Sequence, residues 1–332
     1  MKILIDTYGA DKGEKVLVDG AIIAKEKRDF TPVFIGNKDK IEEIIDGRIN
    51  DYELIHTDEF ISNDEDPARA IRRKKNASIV LAFEKSKEEG YGGVLSAGST
   101  GAILAGGLFI AKRIKGIDRA CLATSLPTLG ETTLLMDTGA NMDCKKEFLE
   151  EFGLMGKVYL ENVLNIQNPK IALLNVGVEE HKGNKLSKET YALLKEANLN
   201  FVGNIEARDL FTGKANVILA DGFDGNIAIK TAEGIFSLMG KELKDVFYKS
   251  LPNKLAAGIL KKDLKAMFNK FSADEVGGAP LLGVKSYAYK AHGNANEIAI
   301  SNALLGLMDY IDKNVIEKIE GELIWLEKDL KN

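Results

Sequence analysis

The 332-residue chain lacks most of the features that announce a function at first reading. It has two cysteines, Cys121 and Cys144, too few for a disulfide framework and in no zinc spacing. Both are expected to be buried apolar thiols, because free cysteine usually packs as a small hydrophobe. The three histidines, His56, His181 and His292, lie too far apart in sequence to form a local metal motif. Only six prolines occur and no Ser/Gly/Pro-rich tract, so no flexible linker is expected to divide the chain. No run of about 18 apolar residues is available to cross a membrane, and no apolar leader with a cleavage site is visible; a cytoplasmic protein is the expectation. An excess of basic charge is missing too. The net charge is −5, which argues against a nucleic-acid partner. Also absent are G-x-x-x-x-G-K-[ST], G-x-G-x-x-G and G-x-S-x-G, which removes the Walker loop, the dinucleotide fingerprint and the hydrolase elbow.

What is present is an alternation. Strand-like apolar runs fall at Lys2–Asp6, Pro32–Gly36, Tyr52–Thr57, Gly93–Ala97, Thr132–Thr138, Lys170–Gly177, Asn200–Ile205, Asn216–Asp221 and Tyr287–Ala291. Between them, helical spacing begins at Val16 and recurs over Lys38–Ile45, Ala68–Lys74, Ser78–Glu89, Ser99–Lys112, Lys145–Leu164, Ser187–Ala197, Gly225–Phe247 and from Glu297 onward. Such alternation predicts parallel strands joined by right-handed crossovers. Ile171–Leu174 and Val217–Ala220 are continuously apolar, as strands buried on both faces are. The expectation is a three-layer α/β/α fold with a mostly parallel sheet, a single two-lobed unit spanning residues 1–332.

Ligands in such sheets bind beyond the carboxyl ends of the strands. Small polar residues and glycine collect there: Asp6 and Gly9; Ser96–Gly101; Asp137, Gly139 and Asn141; Asn175, Gly177 and Lys182; Asp221, Gly222, Asp224 and Asn226; His292 and Gly293. Ser96–Gly101 is the best phosphate candidate, since a strand there turns through Gly, Ser and Thr into a helix whose free N–H groups favour an anion. The plainer alternative is that Ser99 or Thr100 only caps that helix. Two basic stretches stand out in an acidic chain. Arg69, Arg72, Arg73, Lys74 and Lys75 form a cluster suited to phosphate or to an acidic partner, or simply a solvated face. Residues 241–270 interleave lysines with Leu251, Leu255, Ile259 and Leu260 and read as a helical hairpin with an apolar, basic tip, a candidate contact for an anionic membrane.

Taken in order, the stretches Asp6-Thr-Tyr-Gly-Ala-Asp11, Asp66-Pro-Ala-Arg-Ala-Ile-Arg-Arg-Lys-Lys75, Ser96-Ala-Gly-Ser-Thr-Gly-Ala102, Arg113-Ile-Lys-Gly-Ile-Asp-Arg119, Asp137-Thr-Gly-Ala-Asn141, Asn175-Val-Gly-Val-Glu-Glu180, Asp221-Gly-Phe-Asp-Gly-Asn226, Gly277-Gly-Ala-Pro-Leu-Leu-Gly283 and Ala291-His-Gly293 resemble the bacterial phosphate acyltransferases of phospholipid synthesis over nearly the whole chain. Ala10, Ser99, Ala207 and Val276 depart from that family's usual residues. The resemblance implies a fold similar to phosphotransacetylases and to the isocitrate and isopropylmalate dehydrogenases. It implies a homodimer, no metal or organic cofactor, and peripheral membrane association. Its donor would be acyl carrier protein, and its product would pass to a membrane glycerol-3-phosphate acyltransferase.

The implied reaction is phosphorolysis of a thioester. Inorganic phosphate is already an anionic nucleophile, and a thiol leaves with little acid help, so positioning and charge stabilisation are what the site must supply. On that reading Ser96, Gly98, Ser99 and Thr100 hold phosphate, Lys182 and Arg73 neutralise it, Asn141 or Asn226 polarises the carbonyl, and Asp137, Asp221 or His292 orients phosphate or carries a proton. Rival readings are an acetyl-CoA phosphotransacetylase or a nicotinamide-dependent dehydrogenase on the same fold, and a non-catalytic membrane scaffold.

Overall fold

The computed structural model describes residues 1–270 and 277–329, with side chains at 1–264 and 277–324; Val276 lies outside the described residues. The first strand, β1 (Lys2–Asp6), shows how the layers arise. Ile3 and Ile5 point into one apolar cluster and Leu4 into another, because successive side chains of a strand face opposite ways. Both faces are apolar, so both must be covered by helices.

The strands β2 (Thr31–Gly36), β3 (Glu53–His56), β4 (Tyr91–Ser96), β5 (Cys121–Leu122), β11 (Gly278–Leu282) and β12 (Tyr287–Ala291) join β1 in a seven-stranded sheet ordered β3-β2-β1-β4-β12-β11-β5. Its first five members run parallel; β11 is antiparallel to β12 and to β5. Helices α1 (Glu14–Lys27) and α10 (Glu297–Asp312) cover one face, while α3 (Pro67–Arg73), α4 (Ser78–Lys85) and α5 (Thr100–Gly106) cover the other. A second sheet of five strands is ordered β6 (Thr124–Leu126), β7 (Thr133–Met136), β10 (Val217–Leu219), β8 (Ile171–Asn175), β9 (Phe201–Glu206), parallel except for β6. Helix α6 (Lys146–Val163) buries Phe152 and Met155 in the same cluster that holds Ile5 and Leu219, so one core continues across both sheets. The remaining helices are α2 (Lys38–Ile45), α7 (Lys185–Glu196), α8 (Gly222–Tyr248), α9 (Leu251–Lys270) and α11 (Val315–Asp329).

The chain crosses from sheet to sheet in one residue. Ala123, fully buried between β5 and β6, donates its N–H to Pro280 O at 3.2 Å. The three-layer α/β/α reading with mostly parallel strands therefore holds. It missed β5, β6 and β11, which are short and pair antiparallel, so they have no long apolar run to show in the sequence. Two helices end earlier than expected. The helix from Ser78 stops at Lys85, where the Ser86 hydroxyl donates to Phe83 O at 2.9 Å. The one from Thr100 becomes a π-helical turn over Gly107–Ala111. The strand expected over Asn216–Asp221 also ends early, because Asp221 caps α8 by accepting from Phe223 N at 2.8 Å, and α8 starts at Gly222.

Helix α8 has 27 residues, about 40 Å of axis at a rise of ~1.5 Å each. Gly222 and Gly225 are its only buried residues, so most of its length leaves the core. It turns at Lys249–Ser250, and Pro252 sits in the first turn of α9, where a missing N–H costs no helical bond. No helix among the described residues is long and apolar enough to cross a membrane.

Candidate active site

The ends of β1, β4 and β12 lie side by side, and the loops that leave them meet at close range. Gly9 has φ +85°, and a Cβ there would stand 2.3 Å from Gly98 Cα. Glycine is required on both counts: the left-handed backbone and the contact of one loop with the next. Beneath this contact the Ser96 hydroxyl donates to Asp6 Oδ2 at 2.7 Å and accepts from Gly98 N at 3.1 Å, while Tyr8 N donates to Asp6 Oδ1 at 3.2 Å. Burial raises the Asp6 carboxyl above its usual value, against the pull of these bonds. Ser96 thus braces the loop from below.

Above it lies a cavity of about 480 Å³ between the two sheets. Gly9, Asp11, Gly98, Thr100, Lys290, His292 and Gly293 face it from the seven-stranded side; Thr138 lines it beyond β7; Asn226, Ile229, Lys230, Glu233 and Phe236 line it from α8. Lys290 is the notable cation. It comes from inside β12, and its ammonium donates to Ala97 O at 3.3 Å and to Ala291 O. Among the described residues no carboxylate pairs with it within salt-bridge distance, and loss of solvent pushes its pKa down to about 8. An ammonium drawn out of water needs anionic company. His292 Nε2 stands 3.7 Å from Glu233 Oε1, and its buried Nδ1 has no hydrogen-bond partner. With His292 and Lys230 beside it, Glu233 is held down to about 2.

Of the residues expected from sequence, the structure brings Gly98, Thr100, Asn226 and His292 to this cavity. Ser99 occupies the N-cap of α5 with no side-chain capping bond. Asp137 is fully buried behind the wall, accepting from Leu122 N at 3.1 Å and from Asn141 N at 2.6 Å. Burial pushes its carboxyl up to about 6. The Asn141 amide donates to Ala120 O at 2.7 Å, so this pair ties the end of β7 to the approach of β5. Asp221 caps α8 and also accepts from Cys144 N at 2.6 Å. Arg73 and Lys182 are exposed and do not line the cavity. Sequence reasoning missed Lys290, Lys230 and Glu233. Lys290 did leave a signal, as the single charge in Tyr287-Ala-Tyr-Lys-Ala291, a run otherwise fit for a buried strand.

Neither cysteine is a reactive thiol. Both are free; burial lifts Cys121 well above its ordinary value and Cys144 up to about 12. Among the described residues no group of three or more His, Cys, Asp or Glu side chains could hold a metal ion.

This arrangement of two mostly parallel sheets with a cavity between them has the fold of phosphotransacetylases. A solved phosphotransacetylase from Streptococcus pyogenes superposes with a TM-score of 0.60 at 17% identity, covering 96% of this chain and 94% of that one. The sequence narrows the class. The profile of the family described as "Fatty acid synthesis protein" matches residues 1–318, and the chain belongs to that family. A protein named phosphate acyltransferase from Clostridium botulinum (strain Loch Maree / Type A3) is 43% identical over 327 residues, 97% of this chain and 98% of its own. Another of that name, from Alkaliphilus oremlandii, is 44% identical over 322 residues, 96% of each chain.

Proposed function

We propose that this chain is a phosphate acyltransferase, moving a fatty acyl group from the thioester of acyl carrier protein to inorganic phosphate. The observation that carries the reading is the Lys290 ammonium beside the Gly98–Thr100 loop, without a carboxylate within salt-bridge distance among the described residues, a place for an anion in a cavity that also has an apolar stretch at Phe211, Ile229 and Phe236. Phosphate bound to Lys290, the Thr100 hydroxyl and the loop N–H groups presents an oxygen to the thioester carbonyl carbon. The new C–O bond forms, the carbonyl oxygen takes the charge, and the C–S bond breaks as the carbonyl reforms. The departing thiolate takes a proton, which on this reading His292 at the cavity wall supplies, and acyl phosphate leaves. Asn226, on the cavity wall, donates to the carbonyl oxygen on this reading. Asp137, Asn141 and Asp221 support this geometry through the backbone bonds described above.

The same reading has the protein act as a cytoplasmic homodimer at the membrane surface, handing acyl phosphate to a membrane glycerol-3-phosphate acyltransferase. Two features support it. Phe223, Ile227, Ile235, Leu238 and Met239 are more than half exposed along α8, a stripe for a second copy to cover. Leu251, Leu255, Ile259 and Leu260 are exposed on α9 within the 241–270 hairpin, beside Lys249, Lys254, Lys261 and Lys262, which suits an anionic bilayer surface.

The test is to mix the protein with long-chain acyl carrier protein, with and without phosphate, and trap acyl phosphate with hydroxylamine. Phosphate-dependent hydroxamate and free carrier thiol are expected. Product from acetyl-CoA in preference would indicate a phosphotransacetylase; no product with either donor would leave the membrane scaffold.

A further inference from the structure

The cavity has two kinds of wall. Besides its polar strand ends, Leu122, Pro127, Phe211, Ile229 and Phe236 give it an apolar stretch, with Thr124, Ser125 and the Lys230–Glu233 pair at its side. Phe211 and Ile229 pack on the apolar cluster under the five-stranded sheet, and the Phe211 carbonyl accepts from Leu129 N at 3.1 Å, which fixes its loop. Phe236 meets Phe211 edge to face, with centroids 5.6 Å apart and rings at 87°. Asn226 and Phe236 both line the cavity from α8, and the ten steps from one to the other rise about 15 Å. The α8 lining therefore runs from a polar amide, past the Lys230–Glu233 ion pair, to an aromatic pair.

We infer that this apolar arm takes the saturated hydrocarbon chain of the acyl donor, and that the Phe211–Phe236 pair sets the chain length the protein prefers. The inference rests on the acyl-transfer reading above. An alkyl chain is the chemical class that fits the end of the arm, because Ile229, Phe211 and Phe236 offer apolar contact area there. Each methylene taken out of water is worth about fourfold in affinity. That gain continues until the terminal methyl reaches the rings. Further methylenes then stay in water or push against a packed pair, and the gain stops.

The experiment compares kcat/KM for octanoyl, dodecanoyl, hexadecanoyl and octadecanoyl carrier proteins in the native chain, F236A, F211L and F236W. Smaller residues are expected to move the optimum toward longer chains, with the octadecanoyl-to-dodecanoyl ratio rising about tenfold, while F236W moves it the other way. KM for phosphate should stay within about twofold in all three, since the polar wall is untouched. Unchanged chain-length ratios in folded variants that still consume phosphate would overturn the inference and leave acyl transfer standing. Should the native protein make no acyl phosphate from any chain, the transfer reading fails on its own. Binding of a fluorescent polyene fatty acid then decides the arm: weakening by F236W retains it, and equal binding by native protein and F236W rejects it. Where F236A does not fold, F211L and F236W together decide the same point.

Discussion

Two buried aspartates occupy equivalent places in the two sheets and do different work. Asp6 ends β1 of the seven-stranded sheet, Asp137 follows β7 of the five-stranded one, and burial raises both carboxyls. Asp6 accepts from Ser96 and shares its surroundings with the Lys290 ammonium, which lowers its pKa in part. For Asp137 the opposing pull comes from hydrogen bonds, as its oxygens accept the N–H groups of Leu122 and Asn141. On the proposed reading the first aspartate lies beneath the wall that receives an anion, while the second belongs to the joint between the two sheets. A strand-end carboxylate is therefore not diagnostic by itself. What it faces decides its part.

Substitutions can break that contrast. The largest effect is expected from K290M. It should cost about 100-fold in kcat/KM for phosphate, the scale of a lost charge-assisted bond, while leaving thermal stability nearly intact. Phosphate titrations across pH sharpen this: the ammonium is present below about 8 and lost above it, so native affinity should weaken as pH rises through that value, and K290R should flatten the profile. D137N should do the reverse, acting on stability. The Asp137 pKa rises on folding from 3.8 to about 6, so its contribution to stability is fully present below 3.8 and is lost as pH rises through about 6. That is on the order of 3 kcal/mol. Urea unfolding at several pH values should show the native chain gaining on D137N as pH falls through that window; parallel curves would rule out a carboxyl raised by burial at Asp137. G9A should cost about 1–3 kcal/mol and raise the phosphate KM, since it strains a left-handed turn and pushes on Gly98. The smallest effect belongs to C144S, which should change turnover by less than about twofold, because a thiol held up to about 12 is not a nucleophile at neutral pH. Inactivation by a small alkylating reagent at that residue would contradict it.

Much of this could be read from sequence because burial leaves a pattern. The two-face strands β8 and β10 announce themselves as unbroken apolar runs, and the loops after β1, β4, β7 and β12 announce themselves by glycine and small polar residues. Strand order leaves no such trace. Lys182 follows β8, which stands two places from β7 with β10 between, so a loop near in pattern is not near in space. Lys290 escaped for the opposite reason: it sits within a strand, and strand interiors are read for their apolar residues. The tie from Asp137 to Leu122 also depends on β5, two residues long and invisible to any periodicity.

Ala123 is a joint without slack. One residue connects two sheets, and its amide is fastened to a third strand at Pro280. The two walls of the cavity are therefore held together at this seam, where the bonds of Asp137 to Leu122 N and of Asn141 to Ala120 O lie beside the crossing. Lengthening the chain there by one residue would not add a loop; it would reset the width of the slot in which, on the proposed reading, phosphate and carbonyl meet.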